Sequence, residues 1–243
     1  NDMKKVLLSL AMLSVISTPV LAKTPVANLK INGDIKPPTC TINGGNVDLV
    51  YNLGNISPSV IPNDMTYNQL PSISNTLTVT CDSSTFLTFR ATDGYPNSFI
   101  QTPDMNINFR AHAFNLVDSA DTSKTVGGIT YWWKNVTVDE KDAYLSRAND
   151  GSYDNGNWSR EYEMVKGATV GWTAEQQKYV SPDKLNLLSG KAFKATFYND
   201  NQIVYNVAQT YLHSKKMLTE DGIDLTMGLD YTGQVILAFN FGV

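Results

Sequence analysis

The stretch "NTLTVTCDSSTFLTFRATD" (residues 75–93) holds two strands one after the other. Leu77, Val79 and Cys81 alternate with threonines, and Leu87, Phe89 and Ala91 resume the alternation after a polar turn. A period of two puts such residues on one face of an extended chain, so each run has one buried face. The same pattern recurs outward in both directions. It runs through Leu29, Ile31 and Ile35, then Val47, Leu49 and Tyr51, and then every second residue from Met105 to Ala113. It returns at Phe193, Ala195 and Phe197, from Ile223 to Leu229, and at Val235, Leu237, Phe239 and Phe241. Turn signals such as "NGG" (43–45), "DGYPNS" (93–98) and "YNDN" (198–201) separate the runs. Helical spacing is scarce; 139–149 and 209–218 each suggest one short helix. Many short strands with little helix predict an all-β fold, an antiparallel β-sandwich. The polar, Gly- and Asn-rich stretch 118–190 reads as inserted loops on a single domain spanning 23–243.

The chain has 243 residues and a formal net charge of -4. Lys4 and Lys5 precede an apolar run from Val6 to Ile16, and "VLA" ends at Ala22 with small residues. Residues 1–22 therefore read as a signal peptide, with Asn1 and Asp2 an upstream extension; the apolar run is too short to span a bilayer. Localisation is expected to be the periplasm, then a fimbrium or the cell surface. The acidic balance disfavours nucleic acid, whose binding needs basic surface. An exported chain with only two cysteines, Cys40 and Cys81, is expected to join them. Closing so long a loop is worth roughly 4 kcal/mol in the chain-entropy model.

Little in the sequence points to chemistry. His112 and His213 are the only histidines, and neither has a Cys or Glu at metal-ligand spacing. No Gly-x-Ser-x-Gly elbow is present, and "TVGGIT" (125–130) and "KGATVG" (166–171) read as turns. The expectation is a protein that is not an enzyme and takes no metal or cofactor.

"INGDIKPPTCTI" (31–42) places Gly33 seven residues before Cys40, and "LTVTC" ends at Cys81 some forty residues later. With the export signal and the intervening loop, this resembles the N-terminal half of chaperone–usher pilins and related fimbrial-like secreted proteins. The resemblance covers Leu29 to Gly94 and extends to the alternating C-terminal segment. It implies an immunoglobulin-like sandwich whose first and second strands are bridged by Cys40 and Cys81, and which lacks its last strand. It implies as partners a periplasmic pilus chaperone, an outer-membrane usher and other pilus subunits, and a role in cell adhesion. Phe241 is third from the end of the sequence, where pilins have their aromatic next to last.

An incomplete sandwich exposes unpaired backbone beside an apolar groove, a hazard unless another strand covers it. Strand addition would cover it: the backbone ladder supplies affinity and alternate side chains fill pockets. Four or five such side chains set an upper bound of roughly 6–15 kcal/mol. Val235, Leu237, Phe239 and Phe241 are the expected groove strand. Pro25, Ala27, Leu29 and Ile31 alternate as a candidate donor arm. The alternative is a monomeric lectin-like module binding a host glycan or surface receptor, in which Trp158 and Trp172 would stack on sugar rings.

Overall fold

The computed structural model describes residues 25–153, 157–199, 201–204 and 207–243; the leader expected at 1–22 lies outside them. The chain divides into two units, Asn1–Lys36 and Pro37–Val243. In the first, residues 25–36 form no strand and every side chain is exposed, Leu29 by 96% and Ile31 by 94%. The alternation from Leu29 to Ile35 thus lies in chain that joins no sheet. A period of two suits a strand, but a ladder partner makes one.

The second unit is an all-β sandwich. Numbering strands in chain order, one sheet runs β1 (Cys40–Ile42), β2 (Ser74–Thr85), β11 (Gly190–Asn199), β6 (Tyr131–Val138) and β7 (Lys141–Asp142). The facing sheet runs β10 (Lys178–Val180), β8 (Tyr144–Ala148), β9 (Thr169–Thr173), β3 (Thr88–Asp93) and β16 (Val235–Asn240). A smaller sheet joins β14 (Thr210–Leu212), β5 (Thr125–Ile129), β4 (Phe114–Asp118) and β15 (Tyr231–Thr232). β12 (Ile203–Val204) and β13 (Val207–Ala208) pair antiparallel. Pairing is antiparallel except between β10 and β8.

The alternating residues of the opening stretch meet those of β11 in the core. Phe89 packs edge-on against Trp172 and Phe197, with ring centroids 5.9 Å apart in each pair, and Trp172 packs against Phe193 at 5.5 Å. Cys40 and Cys81 are directly paired in the β1–β2 register and are joined by a disulfide of 2.07 Å.

Several runs differ from their sequence pattern. Residues 107–111 form a 3-10 turn instead of a strand, because the Asn106 side chain accepts the Asn108 N–H and starts a turn locally. Asp224 does the same for Thr226, and Leu225–Met227 is a second such turn. The helix expected over 139–149 is the β6–β7 hairpin and β8. Asp139 and Glu140 take positive φ at its tip, and the Asp139 carboxylate accepts the N–H groups of Lys191 and Ala192. In the other expected helix, 209–218, only the last residues are helical, as α1 (Lys215–Glu220). "TVGGIT" is mostly strand: a Cβ on Gly127 would collide with the Tyr211 carbonyl, so glycine lets β14 approach. The stretch 118–190 supplies β5 to β10, placing it within all three larger sheets.

Candidate functional site: an apolar groove beside an edge strand

β16 pairs with β3 in unbroken register from Val235 opposite Asp93 to Asn240 opposite Thr88. No other described strand pairs with it, so it is the edge of its sheet. In an antiparallel ladder every second residue points its N–H and C=O away from the partner, and on β16 these groups face the open side. Its side chains alternate: Val235, Leu237 and Phe239 are half-buried, whereas Ile236, Ala238 and Asn240 are exposed. Phe241 lies one residue beyond the strand, is exposed, and does not line the groove.

The half-buried trio forms one wall of a groove of about 940 Å³. The other wall is the segment 47–56, in no strand, from which Leu49, Tyr51 and Leu53 turn inward. Leu77, Phe197, Ile129 and Met164 also line it. Two side-chain hydrogen bonds hold the segment: Tyr51 Oη donates to the Phe197 carbonyl at 2.9 Å, and Asn75 Nδ2 donates to the Val50 carbonyl at 2.9 Å. Tyr51 also meets Tyr131 edge-on at 5.0 Å. Burial pushes the Tyr51 phenol up to about 12 and raises that of Tyr131 as well, so both stay neutral donors at physiological pH. Asp48 and Asp230 are the only charged residues in the lining.

The sequence pattern marked the β16 wall; it missed that Val47–Leu53 forms the opposite one. The signal was present, since its alternation continues to Leu53, but that run reads equally well as a paired strand. Residues 25–31, the candidate donor arm, are exposed and in no strand within their own unit. The structure does not bring the two tryptophans of the lectin reading together in exposure. Trp172 is completely buried and donates its indole N–H to the Lys194 carbonyl at 2.9 Å, so it has no face for a sugar. Trp158 is 51% exposed and packs its ring on His112 at 5.8 Å. Among the described residues no group of His, Cys, Asp and Glu is placed to hold a metal.

The site is thus an apolar trough beside a strand that no other described strand pairs on its outer side. No protein-family model matches this chain, and no curated protein matches it either.

Proposed function

We propose that this chain is a non-enzymatic fimbrial subunit or fimbrial-like surface protein that accepts an extended strand from a partner. The strand pairs with the free edge of β16, and its alternate side chains enter the groove between Leu237 and Tyr51. The observation that carries this reading is the coincidence of the two features: an edge strand whose inward residues remain half-buried, and an apolar groove directly beside them. A complete sandwich would bury Val235, Leu237 and Phe239 as fully as it buries Phe89 and Phe193.

The partner first proposed is a periplasmic pilus chaperone, followed by another subunit delivered at an outer-membrane usher. Residues 25–36 have the chemistry of such a strand, with Leu29, Ile31 and Ile35 in alternation and Lys30 and Lys36 to meet the acidic groove residues. Export to the periplasm and cell surface, and adhesion as the end use, belong to the same proposal.

The test is to titrate residues 23–243 with a synthetic peptide of residues 25–36, and separately with a pilus chaperone, reading melting temperature and native mass. A one-to-one complex with raised melting temperature, lost in Leu237→Arg, is the expected result. No complex with either probe would end the reading. The half-exposed Trp158 keeps one element of the glycan-binding alternative; glycan-array binding lost in Trp158→Ala would favour it.

A further inference from the structure

A cluster of buried polar groups beneath residues 157–163 takes no part in lining the groove. His112 ends the 3-10 turn Ile107–Ala111 and is 2% exposed. Its Nδ1 lies 3.4 Å from Ser159 Oγ and its Nε2 lies 3.5 Å from Glu163 Oε1. Arg147, on the core-facing side of β8, is 1% exposed. Its Nη2 donates to the Ser159 carbonyl at 2.6 Å, while Nε and Nη1 have no hydrogen-bond partner. Glu163 also accepts from Trp132 Nε1 at 3.4 Å and from the Arg160 N–H at 3.2 Å.

The main-chain bonds that tie this segment to β6 begin only at Tyr162, whose carbonyl accepts the Trp133 N–H; the Met164 N–H donates to Tyr131. Among the described residues, no main-chain-to-main-chain hydrogen bond joins 157–161 to a strand; Arg160 is tied through its side chain, which donates to Tyr162 Oη at 2.9 Å and lies over the Trp132 ring at 5.4 Å. Trp158 and Ser159 are held by His112 and Arg147. The charges facing His112 are Arg147, Lys166 and Glu163; Glu161 acts on Arg147 and Arg160 on Glu163. A proton on His112 would add a buried cation beside a guanidinium that already has unmet donors, and Glu163 is the one carboxylate against it.

We propose that His112 and Arg147 form an acid-released latch, in which protonation of the His112 ring frees residues 157–161, with Trp158, while the sheets stay folded. Burial, reinforced by the Arg147 and Lys166 charges, pulls the ring down to about 3 in the closed latch. A ring released to solvent titrates near its ordinary value of about 6.5, so the open fraction rises about tenfold per pH unit below that. Burial raises Glu163, which therefore takes up its proton more readily when closed. That opposes the histidine wherever Glu163 titrates, so the rise belongs to the pH range in which Glu163 stays ionised.

Hydrogen exchange on the full, disulfide-bonded chain tests this at the Arg160 amide, corrected for intrinsic exchange. Protection there should fall about fivefold from pH 6.5 to 5.5, should stay level in His112→Gln, and should be unchanged in β2 and β11. A pH-independent Arg160 amide, an equal slope in His112→Gln, or parallel loss in β2 and β11 would each overturn the latch. Should His112→Gln not fold, wild-type ring titration by NMR decides. A ring titrating near 6.5 while Arg160 stays protected overturns the proposal; one that charges only as Arg160 loses protection upholds it.

Discussion

Tyr51 donates its hydroxyl to the main-chain carbonyl of Phe197, fastening a wall that has no ladder of its own to β11. Removing that hydroxyl tests how much the groove depends on one neutral hydrogen bond. Tyr51→Phe should lower stability by about 0.5–1.5 kcal/mol, read as a shift in urea midpoint. If the wall shapes the groove, the same variant should also weaken binding of the 25–36 peptide.

Leu237 and Ile236 are neighbours on β16 that face opposite ways, Leu237 half-buried against the core and Ile236 exposed at the groove's rim. Leu237→Arg should abolish strand binding, whereas Ile236→Arg should leave it within about threefold. Titration calorimetry separates the two. Equal losses would mean that strand addition does not read the inward face.

Reduction of the Cys40–Cys81 disulfide should cost about 2–5 kcal/mol. β1 has only three residues, so the ladder to β2 that the disulfide reinforces is short. Urea denaturation with and without reductant measures the effect, and Cys40→Ser should reproduce it.

Both histidines are buried neutral: burial pulls His112 down to about 3 and His213 to about 4. The unfolded chain binds their protons first, near pH 6.5, so stability holds above that value and falls as pH drops through it toward the folded values. Each histidine contributes about 1.4 kcal/mol per pH unit over that interval. Glu163, raised by burial, opposes them once it titrates. Chemical denaturation at pH 7, 6 and 5 should show the decline, and His213→Gln should flatten it.

Trp172→Ala should destabilise by about 3–5 kcal/mol, because it empties the centre of the core and removes the hydrogen bond to the Lys194 carbonyl. Trp158→Ala should cost far less, since half of that ring already faces solvent. Thermal melts of the two variants give the comparison.

The strands legible in the sequence are those whose alternation meets a second alternating run in the core: β2, β3, β11 and β16. Where alternation misled, a local side chain or a distant backbone had intervened. Asn106 and Asp224 start 3-10 turns within runs of period two. Asp139 holds a hairpin where helical spacing was visible, but its partners, Lys191 and Ala192, are some fifty residues away. "TVGGIT" resembles a turn until Tyr211 is placed against its glycines.

For the candidate site, the inward side chains of β16 follow from the sequence alone, because a strand's period assigns its faces. So does the pairing of two cysteines that have no other thiol to choose. Which edge of β16 would remain open, which segment would stand opposite it, and which tryptophan would keep a face to solvent depended on the order of strands in the sheets. That order is set by contacts between residues far apart in the chain, and a local pattern carries no record of them.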